Sequence, residues 1–412
     1  MTAASPPNIQ FQKFRKHLEK GGFCLLVNTK FKEIVLYNRF SKATEPLSVL
    51  PLRFKRWDDT KSDATGIADY IKCSLELISG EVFVPDGGQF ISSHGSTWVN
   101  IHNPFQTSSG SCEVSPLFLE LFERLFPVEE ERHVCVQWMA DIVQNPEHRP
   151  SWHLMLSSAP GTGKGFLFHN ILTPILQHTH LVKDYDGLMG KHSVALAHNL
   201  LILLDDAKTS SDSMQTKLKS ALSEPRVAIE PKHEMPRMVD TYARVILASN
   251  ELRPLRLDKD ERRWYVPQRI EHRVSLEETA NFISQLAAWL AEPDSLSKVY
   301  NYFKNYSLEG FNRKYVNQTE TLKEMIGMSE SPIEGFLSAY LDDEPVFTYN
   351  GIQDALAAEG YNKQKDSYLK RLLNEAGYTN GRFKRNSLTL WHPKSLAKDQ
   401  ALAKFDTTAS RL

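Results

Sequence analysis

Long hydrophobic runs are missing from this chain. No apolar stretch reaches the length a bilayer requires, and no secretory leader is recognisable, so a membrane partner is not expected. Cysteine is scarce. Cys24, Cys73, Cys112 and Cys135 form no C-x-x-C pair and have no histidine at ligand spacing, which argues for reduced thiols and against a zinc module. A dominant charge is absent too: the formal net charge is -1, so any surface for nucleic acid has to be local. There is no internal repeat and no low-complexity segment. The expectation is a soluble cytoplasmic protein, and 412 residues leave room for two to three domains.

What is present begins with Ser157-Ser158-Ala159-Pro160-Gly161-Thr162-Gly163-Lys164-Gly165-Phe166-Leu167. It follows a short apolar run, Trp152 to Leu156, and opens an apolar segment, Phe166 to Leu176, that predicts a helix. Strand, glycine loop, lysine, helix is the order of a phosphate-binding loop. Backbone N–H groups cradle phosphates, the helix N-terminus adds its dipole, and the lysine reaches the terminal phosphates. Ala159 to Phe166 would hold the nucleotide. Two positions depart from the usual pattern: Ser158 stands where the first glycine belongs, and Gly165 replaces the Ser or Thr that touches magnesium.

Downstream, His198 to Leu204 is a continuous apolar strand ending in Asp205-Asp206. A strand apolar on both sides belongs inside a parallel sheet, whose carboxyl end is where α/β folds bind ligands. Paired carboxylates there suit Mg2+ held partly through water, and a base that orients the attacking water. Ala243 to Ser249 is a second strand of this kind, ending in Asn250, an amide suited to sensing a terminal phosphate. Asp260-Glu261-Arg262-Arg263 then offers two arginines, either of which could complete a neighbouring subunit's site. Between the acids and Asn250, residues 226–239 read as a β-hairpin with Lys232 and His233 near its tip, placed to meet a nucleic-acid backbone.

The rest of the chain divides by pattern. Residues 1–110 read as an α+β region with a helix over 9–20, strands at 23–27 and 34–37, and a helix from Thr65 to Ile78. Residues 111–148 read as a helical collar, 149–305 as the α/β core with its parallel sheet, and 306–331 as a linker. Residues 332–393 predict helix, strand, helix, helix and hairpin, the order of a winged helix; 394–412 read as a tail. From Lys363 to Lys394 only Asp366 and Glu375 oppose a basic set that includes Lys363, Lys365, Lys370, Arg371, Arg382, Lys384 and Arg385. That local charge suits duplex or forked DNA, with the first four on a recognition helix and the last three on a wing.

Gly161-Thr162-Gly163-Lys164, Leu200 to Asp206, the Lys232-His233 hairpin and Ala248-Ser249-Asn250, in this order and spacing, resemble the superfamily 3 helicases, specifically the helicase domain associated with phage and plasmid primases. The resemblance covers roughly residues 85–305. It implies an AAA+-like P-loop ATPase core, ATP and Mg2+ as cofactors, and a homohexameric ring around single-stranded DNA. Lys164, Asp205, Asp206 and Asn250 would act from one subunit, and Arg262 or Arg263 from its neighbour. It also implies a place at a phage or mobile-element replication fork in the host cytoplasm. The first 110 residues are too short for a primase-polymerase domain, so a separate primase or polymerase is an expected partner. An ATP-switched initiator or helicase loader that binds origin DNA without unwinding it is the other reading of the same residues.

Overall fold

The computed structural model describes residues 9–28, 33–59, 62–190, 193–206, 212–230, 236–252, 254–255, 257–329, 332–362, 364–382 and 389–409. They fall into two units, one within 1–255 and 260–322, the other within 256–259 and 323–412.

The larger unit is built on a five-stranded parallel sheet. Its strands lie in the order Trp264–Tyr265, His153–Ser157, Arg244–Ser249, Leu201–Asp205, Thr179–Val182. Three of these strands are apolar enough to be buried along their whole length or nearly so, as the sequence predicts for interior parallel strands. Register does the decisive work. Asp205 pairs with Ala248, Ala248 with Leu156, and Ser249 with Ser157. Three chain segments far apart in sequence therefore end on one level at the carboxyl edge of the sheet.

Helices Pro116–Leu125 and Glu129–Gln144, expected as a separate collar, share one core with the sheet. Phe118, Leu121, Trp138 and Ile142 cluster with Leu154, Leu156 and Ile246. Residues 306–319, expected as linker, belong to the same body: Tyr306, Leu308, Phe311 and Val316 pack on that core, and Trp152 Nε1 donates to the Asn312 carbonyl at 2.9 Å. The next stretch is helical, Glu320–Ser329, with Leu322 and Met325 buried.

A buried ion pair sits in the same unit. Arg244 and Asp141, both fully buried, meet at 2.7 Å, and Arg313 closes on the same carboxylate. Burial pulls the Arg244 guanidinium down to about 10 and Asp141 opposes that, so it stays charged at neutral pH.

N-terminal to the core, a helix at Ile9–Lys20 packs Phe11, Phe14 and Leu18 on a four-stranded sheet ordered Thr44–Pro46, Glu33–Asn38, Phe23–Asn28, Leu77–Ile78. The helix expected from Thr65 to Ile78 is shorter, Ile67–Ser74. Leu77 and Ile78 leave it to pair in parallel with Leu25 and Leu26, because a sheet edge there satisfies their backbone. A three-stranded sheet of Glu81–Val82, Ser96–Asn100 and Phe90–Ser93 follows.

The smaller unit has the expected order: helix Pro332–Asp343, strand Phe347–Thr348, helices Tyr349–Ala358 and Asp366–Glu375, then the antiparallel strands Tyr378–Arg382 and Thr389–Pro393. Within 394–412, expected as a weakly structured tail, a helix spans Lys398–Ala409, and Ala401 is buried with Val346 and Leu390. Among the described residues no helix is long and apolar enough to cross a membrane, and the four cysteines are free.

Candidate functional site

The glycine loop leaves the sheet later than its sequence pattern implies. Ser158 is still in strand geometry, its N–H bonded to the Ser249 carbonyl and its backbone bridged in parallel to Ile270. A glycine is not required at a position that is still extended. The turn itself uses the two glycines that matter: Gly161 and Gly163 have φ of 79° and 100°, a region side chains rarely enter. Thr162 between them is buried, and its hydroxyl donates to the Ala159 carbonyl at 3.2 Å.

The helix begins at Lys164 and continues to Leu176, but Leu167–Leu172 takes the wider π form, in which the Thr173 N–H reaches Phe168 five residues back. Pro174 explains the change, since it has no N–H to give to an α-helical ladder. Gly165 carries no steric demand. A side chain there would meet open space, and its φ is not in the left-handed region.

Lys164, Asp206 and Asn250 form a connected chain. Lys164 Nζ donates to Asn250 Oδ1 at 3.0 Å. Asn250 gives its own N–H and its Nδ2 to the two Asp206 carboxylate oxygens at 3.1 and 3.2 Å. Asp206 reaches this position from a left-handed backbone, φ 49°, while its N–H is held by the Ala248 carbonyl. The neighbouring acids thus point to different tasks. Asp205 lines a small hollow with Lys164, Gly165 and Leu167, is partly buried, and among the described residues its carboxylate has no hydrogen-bond partner. An unpaired half-buried carboxylate beside a phosphate-type loop fits a hard cation that would take its remaining oxygens from water and phosphate. The described residues hold no cluster of three His, Cys, Asp or Glu side chains, so an all-protein metal cage is not formed there.

The two arginines separate as well. Both precede the Trp264–Tyr265 strand, which runs parallel to His153–Ser157, so they lie at the amino edge of the sheet, a strand's length from their own glycine loop. Glu261, buried, accepts the N–H of both. Arg263 is then spent within the chain: its Nε donates to Ser223 Oγ at 2.9 Å and its Nη1 lies 3.5 Å from Glu261. Arg262 is exposed, and among the described residues its guanidinium has no partner. Next to them, partly buried Arg149 donates to the Ala221, Leu222 and Glu224 carbonyls at the end of helix Asp212–Ser223, an arginine closing a helix C-terminus.

Two further side chains at the carboxyl edge had no sequence signal of their own. Arg269 Nη2 donates to the Asn250 carbonyl at 3.1 Å, and His272 Nε2 lies 2.7 Å from the Pro160 carbonyl. Arg269 and His272, 19 and 22 positions beyond Asn250, carry no motif spacing; the bridge at Ile270 brings them to the loop.

The expected hairpin forms, Arg226–Ile229 against Arg237–Asp240 with Ile229 opposite Arg237. Lys232 and His233 lie outside the described residues, as do Lys363, Lys384 and Arg385. In the smaller unit, Lys365 is not within the helix but at its N-cap. Lys370 pairs with Asp366 at 3.5 Å and lies 5.1 Å from the centre of the Tyr349 ring, and Arg371 lies over Tyr368. Arg382 is exposed at the end of its strand.

A family of unknown function, DUF5906, matches residues 155–263, which run from the glycine-loop strand to the arginine pair. No curated protein matches the chain. Among solved structures, three of the C-terminal region of NrS-1, two of them described as the A form and all as apo, superpose on most of it. The first is 15% identical with a TM-score of 0.62, covering 94% of this chain and 100% of that one. The second is 15% identical at 0.60, covering 93% and 99%. The third is 17% identical at 0.55, covering 90% and 88%. At these identities the likeness is one of fold.

Proposed function

We propose that this chain is an ATP-dependent DNA helicase of phage or mobile-element replication, with an AAA+-like P-loop core and a C-terminal winged helix. The observation that carries the reading is the contact chain Lys164–Asn250–Asp206 with unpaired Asp205 beside it, at the carboxyl edge of the parallel sheet. The strand order, with the Arg244–Ser249 strand between the glycine-loop strand and the acid-tipped strand, supports the same reading. So does the fold likeness to the NrS-1 C-terminal region.

In this account the Ala159 to Phe166 loop and Lys164 bind the phosphates of ATP. Asp205 holds Mg2+, which would neutralise phosphate charge, and Asp206 orients the attacking water with Asn250. Arg262, at the far edge of the sheet, serves the site of the next subunit in a ring. Lys232 and His233 bear on single-stranded DNA; Lys365, Arg371 and Arg382, with Lys363, Lys384 and Arg385, bear on the duplex side of a fork.

Hydrolysis of ATP with and without single-stranded DNA, alongside displacement of a strand from a forked duplex, tests the reading. DNA-stimulated hydrolysis with ATP-dependent displacement is the expected result. Hydrolysis with no displacement would instead favour the initiator or loader.

A further inference from the structure

The segment from Gln268 to His272 runs along the outside of the glycine loop. Ile270 is paired on both sides of its peptide: its N–H donates to the Ser157 carbonyl at 2.9 Å, and its carbonyl accepts from the Ala159 N–H at 2.8 Å. The residues flanking Ile270 reach the two halves of the site. His272 holds the loop at Pro160, 2.7 Å away, and its other ring nitrogen, Nδ1, is buried without a partner, so Nε2 is the nitrogen that donates.

Arg269 holds the other half. Its Nη2 donates to the Asn250 carbonyl at 3.1 Å, its Nη1 to Ser157 Oγ and, at 3.4 Å, to the Glu251 carbonyl, while Nε pairs with Glu271 at 2.7 Å. Ser157 Oγ itself donates to the Glu251 carbonyl at 2.7 Å. One planar guanidinium thereby spans the end of the glycine-loop strand and the turn that carries Asn250. Asp206 holds that residue by its N–H and Nδ2, and Arg269 by its carbonyl. A lysine has a single point charge and could meet only part of this set.

We infer that Arg269 is a positioning residue for Asn250, fixing the amide that would meet the terminal phosphate and its attacking water, and thereby setting the rate of hydrolysis rather than the affinity for nucleotide. The inference rests on the ATP-hydrolysis reading above. An amide that is misplaced by a fraction of an ångström loses transition-state contacts while the loop still binds phosphates.

The test compares wild type, Arg269→Ala, Arg269→Lys and Lys164→Ala in the full-length protein. It measures kcat and KM for ATP, affinity for a fluorescent ADP analogue, and the thermal midpoint. For Arg269→Ala the expected result is a fall in kcat of about 10-fold or more, with KM and ADP affinity within about 3-fold of wild type. Arg269→Lys should recover part of kcat. An unchanged kcat in Arg269→Ala, or ADP affinity falling in step with kcat, overturns the inference. Lys164→Ala separates the two levels: if it still hydrolyses ATP, the phosphate-site reading fails and Arg269 with it. If it is inactive while Arg269→Ala is fully active, only the Arg269 inference fails.

Discussion

Lys164 Nζ donates a 3.0 Å hydrogen bond to Asn250 Oδ1 across 86 residues of sequence. In the proposed ATPase reading, the loop lysine is held by the amide that would meet the terminal phosphate. A bound phosphate would compete with this amide for the lysine. Asn250→Ala should therefore free the lysine and lower kcat for ATP, by about 10-fold or more, with a smaller change in KM. Steady-state hydrolysis with a fluorescent-nucleotide titration checks the split.

Gly165 sits in open space with an ordinary backbone, so neither crowding nor conformation demands glycine there. Gly165→Ser should fold normally and add an oxygen beside Asp205. The expected outcome is a lower Mg2+ concentration for half-maximal hydrolysis, read from a metal titration at saturating ATP.

The arginines differ in what they touch, and mixing experiments should separate them. In the proposed ring, Arg262→Ala and Lys164→Ala subunits, each impaired alone, should regain hydrolysis when mixed, because a site with an intact Lys164 can then take Arg262 from its neighbour. Arg263→Ala should act within its own subunit, by releasing Ser223 at the end of the Asp212–Ser223 helix. Mixing Arg263→Ala with Lys164→Ala should give no more hydrolysis than the two variants measured separately.

Asp141→Ala should be severely destabilising, about 3–5 kcal/mol by denaturant titration, because Arg244 would remain charged in the interior without its carboxylate. Asp141→Leu combined with Arg244→Met should cost less than either change alone.

His102 gives the structure a pH dependence of known sign. Burial, with a smaller contribution from nearby His178, holds its imidazole down at about 4. The unfolded chain protonates near its ordinary value of about 6.5, so between about 6.5 and 4 it binds a proton that the folded chain does not. Stability should fall as pH drops through that window. The thermal midpoint should drop less between pH 7.5 and 5 in His102→Gln than in wild type.

Much of the candidate site was legible because it is carried by local pattern. Glycines before a lysine, an apolar strand tipped by acids and another tipped by Asn250 each announce themselves within ten residues, and parallel register then aligns them. What was hidden depends on distant partners. Nothing around Arg269 or His272 marks them until Ile270 pairs with the loop strand. The partner of Asp141, a buried acid on a helix, is Arg244, which comes from a strand 103 residues further on. The Lys398–Ala409 helix was missed because its sequence is mostly polar and few residues, Ala401 with Leu402 and Phe405, fix it to the core. The contact of Arg263 with Ser223, which sets it apart from Arg262, is one that no spacing predicts.

The most direct measurement is displacement of a labelled strand from a forked DNA, with ATP, by wild type and by Lys164→Ala. The account predicts ATP-dependent displacement by wild type and none by the variant. Displacement retained in Lys164→Ala would contradict it.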